Sequence, residues 1–436
     1  MTERRVVITG LGAVTATGIG AEEVFGGLLQ GRTGIKPISL FDASRFPCSI
    51  GGQIDDFSAT PYVPRGYRKA VKVMARDSEL AVAAADLAVR DAGITTIGID
   101  EARPDVDGHR LGCNVGAGLI CADLEELGAA INTAVRDGQF DIHLWGREGI
   151  NNLTPLWLLK YLPNMLACHV TIIHGAKGPS NTITCGEASG QLAVGEATRI
   201  IARGACDVAF AGGAESKLNP MGLLRQCLIQ RVTTRNSDPA SACRPFDVDH
   251  SGTVVGEGGG ILILEELGRA SARRAKIYAE VVGFGAAGDP AGVDYMRPAA
   301  GGVPGAVRAA LADARLTADQ IDLVVAHGTA VPAEDAAEAA SLKAGLGEVA
   351  TRVPTISITG AVGNLFAGAG GVQLVVAAMA LKKQVVPPVH NCRKVAPECG
   401  LNVPAQALHR PLRHVLCVGY GVGGQSAAVI LKRWEP

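Results

Sequence analysis

No CxxC pair occurs among the 11 cysteines, which leaves no zinc-ribbon or thioredoxin-type spacing and favours reduced, scattered thiols in a cytoplasmic chain. Cys392 and Cys399 lie close to His390, but no second Cys/His pair has zinc-type spacing, so they read as structural thiols. Aromatic residues are sparse, and the Lys/Arg total of 41 against 42 Asp/Glu leaves no basic patch interleaved with aromatics for nucleic acid to bind. Long uninterrupted apolar runs are also missing. The most apolar long segment, PLWLLKYLPNMLACHVTII, is broken by Lys160, Pro163 and His169, so no membrane span is expected. The short apolar start, VVITGLGAV, is interrupted by Gly10 and Gly12 and reads as a buried first strand, not as a signal peptide.

What is abundant is small and apolar. With 47% apolar residues and 56 glycines in 436, the chain suits an extensively buried α/β protein with many close turns. Gly10 and Gly12 open like a dinucleotide fingerprint, yet the third glycine and the later acid are missing, so a tight turn is expected there. A proline-bearing loop region from Pro37 to Tyr67 precedes a strong helix, RDSELAVAAADLAVRDAG, with alanine on its inner face. The strand RLGCNVGAG and the amphipathic helix CADLEELGAAINTAV follow.

Residues 178 to 190, GPSNTITCGEASG, form the pivot. A β-branched run over Asn181 to Thr184 breaks at Gly186 and restarts near Gly190 as the helix QLAVGEATRIIARG. A strand turning sharply into a helix presents one side chain at a helix N-terminus, where unpaired N–H groups favour negative charge. Acyl-transfer enzymes place a Ser or Cys nucleophile at such corners. Here the corner holds Glu187, with Cys185 two residues back in the strand and outside the helix-terminal field. Past Ala279 the strand, helix, strand order begins again as AEVVGFGAAG, GVPGAVRAALADARL and IDLVVAHGTA. The VAHGTA stretch falls where either VGAGLI or AFAGGA would, and duplication of a parallel α/β unit accounts for it.

Seven motifs carry a resemblance over nearly the whole chain: GPS (178–180), AGGAE (211–215), RPFD (244–247), GEGGG (256–260), HGTAVPAED (327–335), GNLFAGAGG (363–371) and GYGVGG (419–424). In this order they resemble the β-ketoacyl-acyl carrier protein synthases. The resemblance implies the thiolase fold, a duplicated five-layer αβαβα arrangement with halves over 1–270 and 271–436, and a dimer with active sites near the interface. It implies no cofactor and no metal. It puts the family's cysteine nucleophile at Glu187, its first histidine at His327, its second histidine at Asn364 and its lysine at Thr359. One catalytic identity of four is kept.

A carboxylate attacking a thioester would give a mixed anhydride, more activated than the thioester it came from, so no stable acyl-enzyme is expected at Glu187. An intact scaffold with an acidic or amide residue at the corner resembles the chain length factors of type II polyketide synthases, in which Gln is usual there. These pair with an active ketosynthase and shape a shared acyl tunnel. On that resemblance Leu119 and Ile120 would face the tunnel, and Asp335 and Glu338 would brace the site loops. Arg244, Asp247 and Glu257 read as structural braces, and His169, His174 and His250 receive no catalytic role. The implied partners are an active ketosynthase or a second copy, together with acyl carrier protein, with no nucleic acid or membrane. Two alternatives stay open. His327 and Asn364 could donate hydrogen bonds to a developing enolate in a malonyl-carrier decarboxylase, or the chain could be a non-enzymatic scaffold for acyl carrier protein or an acyl chain.

Overall fold

The computed structural model describes residues 4–290 and 300–435. In chain order, the elements that position the site begin with strand β1 (Val6–Thr15), helix α1 (Arg76–Asp91), β2 (Leu111–Gly116), α2 (Leu124–Thr133), α3 (Met165–His174) and β3 (Ser180–Ile183). Then come α4 (Ser189–Ala202), β4 (Val208–Ser216), α5 (Pro220–Leu228) and β5 (Glu257–Glu266). The second half contributes β6 (Ala279–Gly288), α6 (Val303–Ala314), β7 (Leu323–Val325), α7 (Pro332–Leu346), β8 (Thr355–Ile356), α8 (Ala369–Lys383), β9 (His414–Tyr420) and β10 (Gln425–Arg433).

The first half-sheet runs β1-β5-β4-β2-β3 and the second β6-β10-β9-β7-β8, with the same directions in both. The two are continuous because β1 and β6 pair antiparallel, Val6 opposite Val281. The duplication is therefore element by element. It resolves the open equivalence, since VAHGTA spans the end of β7 as VGAGLI spans the end of β2.

Five layers result: α1 and α3 outside, the first half-sheet, α4 and α8 in the middle, the second half-sheet, and α6 with α7 outside. Three apolar cores fill the gaps. Leu80 and Ala84 of α1 pack with Val115 and Phe210; Val194 and Val375 of the central helices pack with Ile8 and Leu262; Val307 and Leu342 pack with Ile430. Strands covered on both faces need apolar or small residues on both, which is why β1, VVITGLGAVT, is buried along its length. Helix α8 is buried almost all round for the same reason.

Gly10 and Gly12 do not form the expected turn. Both lie within β1, where a Cβ would stand 2.2 Å from the Ala88 carbonyl oxygen and 1.9 Å from that of Ala84. The glycines let the alanine-rich helix α1 settle onto the strand. The repeat uses the same device, since a Cβ on Gly283 or Gly285 in β6 would stand 2.4 or 2.1 Å from the carbonyl oxygen of Ala310 or Ala306 on α6. The middle helices cross closely too, and a Cβ on Gly190 would lie 2.7 Å from the Gly371 nitrogen.

Between β2 and α3 the chain leaves the layers and forms α2 and several short turns. This excursion exposes Leu119, Leu124, Ile131, Phe140, Ile142 and Leu156. Among the described residues no helix is long and apolar enough to cross a membrane. Nor do they contain a group of three or more His, Cys, Asp or Glu able to hold a metal ion, and His390 contacts the Ala240 carbonyl oxygen instead.

Candidate functional site

The corner is built by local hydrogen bonds. Gly186 adopts φ 57°, a left-handed value suited to glycine, and a single 3-10 turn over Gly186–Ala188 leads into α4. Ser189 fastens the turn from below, donating to the Gly186 carbonyl oxygen at 2.5 Å and accepting from the Cys185 N–H at 2.9 Å. In the repeat, a 3-10 turn over Phe366–Gly368 leads into α8 and packs against the first. The N-termini of both central helices thus meet at one place, bringing Glu187 and Asn364 together.

Glu187 is 2% exposed, and its Oε1 is crowded with partners. The Asn364 Nδ2 donates to it at 2.8 Å and the Arg231 Nη2 at 2.9 Å, while the His327 Nε2 stands at 3.7 Å, beyond hydrogen-bond reach but within range of charge attraction. Arg231 is held from the other side by Glu334, through Nε to Oε1 at 2.7 Å and Nη2 to Oε2 at 2.9 Å, and its Nη1 reaches the Gln226 Oε1 at 3.3 Å. Burial pushes the Glu187 carboxyl upward in pKa, but Arg231 and then His327 outweigh it and hold the group well below the ordinary carboxylate range. Burial likewise works against the Arg231 charge, and the two carboxylates more than restore it. The helix N-terminus of α4 adds to the preference for an anion at the corner.

His327 follows β7 and is fixed through its backbone. Its N–H donates to the Glu338 Oε1 at 2.8 Å, the next N–H, of Gly328, donates to Oε2 at 2.8 Å, and its carbonyl accepts from Ser357 at 2.8 Å and Thr359 at 3.0 Å. The ring stacks edge-on to Tyr420 with centroids 5.4 Å apart, and neither ring nitrogen has a hydrogen-bond partner among the described residues. Burial lowers the imidazole pKa, and its interaction with Glu187 raises it by more, so the ring sits above its ordinary value. Asp335 binds the neighbouring loop, accepting from the Phe246 N–H at 2.7 Å, the Ala330 N–H at 3.0 Å and the His250 Nδ1 at 3.0 Å. His250, given no role from sequence, is thus the buried partner of Asp335. Ala330 and Phe366 both hold left-handed backbone, φ 66° and 50°, beside the site.

A cavity of about 590 Å³ opens against Glu187. Leu119 lines it, whereas Ile120 is buried and lines a neighbouring cavity of about 450 Å³, so the two residues face different spaces. Cys185 is partly exposed and does not line the cavity at Glu187; partial burial pushes the thiol pKa up, away from an activated thiolate. Glu257 accepts from Arg76 Nε and Nη2, both at 2.8 Å, and from the Ile54 N–H at 2.9 Å. Asp247 accepts from the Arg393 and Lys394 N–H groups at 2.7 and 3.0 Å, and Arg244 donates to the Ser241 carbonyl at 2.6 Å. His169 bonds Tyr67, and His174 bonds Thr96 while packing on Phe210.

Arg231 and Glu334 were not singled out from sequence, although the rule that a buried carboxylate needs a counter-charge called for some cation at the corner. Lys217 and Glu215 form a second buried pair in the cavity wall, with the Lys217 Nζ donating to the Leu119 carbonyl at 2.8 Å.

The family description Beta-ketoacyl synthase, N-terminal domain matches residues 3–270, and Beta-ketoacyl synthase, C-terminal domain matches residues 278–393. The chain is 34% identical over 434 residues to a 3-oxoacyl-[acyl-carrier-protein] synthase 2 of Synechocystis, covering 99% of each chain. It is 37% identical over 430 residues to a putative polyketide beta-ketoacyl synthase 1 of Streptomyces halstedii, covering 98% of each. Among solved structures, the ishigamide ketosynthase/chain length factor superposes with a TM-score of 0.84 at 27% identity, covering 99% of this chain and 100% of that one.

Proposed function

The chain belongs to the beta-ketoacyl synthase family, and from that premise we propose that it is a ketosynthase-like subunit without a nucleophile of its own, the chain length factor-type partner of an active ketosynthase in polyketide or unusual fatty-acid biosynthesis. The observation that carries this reading is the buried ion pair of Glu187 with Arg231, at the corner where the family resemblance puts the attacking thiol. A carboxylate held ionised and already hydrogen-bonded by Arg231 and Asn364 is engaged as a structural anion, and an acyl group moved onto it would form an anhydride that water destroys. Support for a partner comes from the apolar excursion around Leu119 and Phe140, and from the structural likeness to a ketosynthase/chain length factor protein. Acyl carrier protein would deliver the chain; it is named in the description of the Synechocystis relative, a 3-oxoacyl-[acyl-carrier-protein] synthase 2.

Co-expression with candidate ketosynthases that carry an intact Cys-His-His set tests the reading. A stable heterodimer whose product length follows the identity of this subunit is the expected result; a homodimer that binds carrier and leaves product length unchanged would instead favour the scaffold reading. One observation favours a second activity. Neither ring nitrogen of His327 has a hydrogen-bond partner among the described residues, which leaves the ring an uncommitted N–H for the thioester oxygen of a malonyl group during decarboxylation, although the buried ring does not line the cavity at Glu187. Against it, the Asn364 amide is spent on Glu187, whose negative charge would face the malonyl carboxylate. Release of CO₂ from malonyl-acyl carrier protein, abolished in His327→Ala, would establish the decarboxylase.

A further inference from the structure

The guanidinium of Arg231 is fixed independently of Glu187. Glu334 grips it through two hydrogen bonds and Gln226 through a third, so removing the Glu187 carboxylate leaves the arginine charged, paired and in place. Arg231, Gln226 and Glu187 together form a contiguous polar stretch of the cavity wall, while Leu119, Pro163, Ile229, Phe366 and Val422 supply apolar lining. An extended alkyl chain attached at the corner would have to lie against that guanidinium or displace it. Displacement breaks several charge-assisted hydrogen bonds of a buried side chain, and contact leaves them facing hydrocarbon.

Resting on the reading that this chain keeps a ketosynthase scaffold whose corner has lost its nucleophile, we propose that Arg231 is a second barrier to acylation there: it holds part of the cavity wall against which an acyl chain at residue 187 would lie, and it discriminates against long chains more than against short ones. Two positions, not one, then separate this site from a site that can be acylated with long chains. Replacing Glu187 alone would supply a nucleophile to a cavity in which Arg231 still holds part of the wall.

The test compares Glu187→Cys with Glu187→Cys/Arg231→Ala, using acetyl-pantetheine and dodecanoyl-pantetheine as acyl donors. In each case the introduced thiolate attacks the acyl carbonyl, a new C–S bond forms as the pantetheine C–S bond breaks, and the departing pantetheine thiolate takes up the proton. Acylation is read by intact mass and mapped to residue 187 by peptide mass against the unaltered chain, which reports any background from native cysteines. Iodoacetamide alkylation of the same position shows that the thiol is present and reachable. The quantity that decides is the ratio of dodecanoyl to acetyl rates, which a general loss of stability would leave unchanged because both donors meet the same protein.

Arg231→Ala is expected to raise that ratio about tenfold or more, the scale on which pockets discriminate by available space. A ratio that stays the same within a few-fold overturns the proposal. So does a failure of both donors with both variants when iodoacetamide alkylates each. The partner reading is judged separately, on the unaltered chain and on product length, so it can fail while this result stands and the reverse.

Discussion

The Arg231 Nη2 lies 2.9 Å from the Glu187 Oε1, and the two side chains are 6% and 3% exposed. This pair joins the strand-helix corner of the first half to the loop after α5, and through Glu334 to the first turn of α7 in the second half. It makes the centre of the site a closed electrostatic unit.

Breaking that unit from its cationic side should cost the most. Arg231→Ala leaves the buried Glu187 and the partly exposed Glu334 without their counter-ion, and should destabilise the protein by about 3–5 kcal/mol. Glu187→Gln leaves Arg231 on Glu334 and should cost less, about 1–3 kcal/mol. Urea unfolding of the two single variants and the double variant, read as a double-mutant cycle, measures the coupling, and purely additive losses would contradict it.

Acid should reveal the same pair. The Glu187 carboxyl has a folded pKa held below its ordinary 4.5, so the unfolded chain binds its proton first. Its contribution to stability is therefore fully present above about pH 4.5 and is lost as pH falls below that value toward the folded pKa. Stability measured from pH 7 downward should fall less steeply below about pH 4.5 in Glu187→Gln than in the unaltered chain. Parallel curves would show that Glu187 is not held ionised by its surroundings.

The duplicated glycines make a third expectation. Gly12→Ala and Gly285→Ala each push a methyl into a helix carbonyl oxygen, at 1.9 and 2.1 Å, on opposite sides of the molecule. Each should lower stability by about 1–3 kcal/mol through overpacking, and because the sites share no partners the losses should add. A neutral effect at either position would mean that the helix can retreat from the strand without loss.

How far the sequence discloses the molecule differs from residue to residue. Glu187, His327 and Asn364 are legible because each is tied to a glycine-containing motif whose spacing survives the replacements, and the folded chain brings the three side chains together. Arg231 is not legible in that way. It belongs to no quoted motif, and which of 41 basic residues answers a buried acid is decided only when distant segments pack. Gly10 and Gly12 show a different ambiguity, because glycine serves both sharp turns and close approaches, and the approach here depends on alanines more than 70 residues away. Leu119 and Ile120 are adjacent in an exposed excursion, where sequence gives no period from which to tell which cavity each will meet.

The central claim is that this chain does not condense acyl groups by itself and exerts its effect through a partner. Elongation of an acyl primer with malonyl-acyl carrier protein, followed by product mass, tests it with the purified chain alone, with an active ketosynthase alone, and with the two together. The chain alone should give no elongated product, and the pair a product whose length differs from that of the ketosynthase by itself. Elongated product from the unaltered chain alone would contradict it.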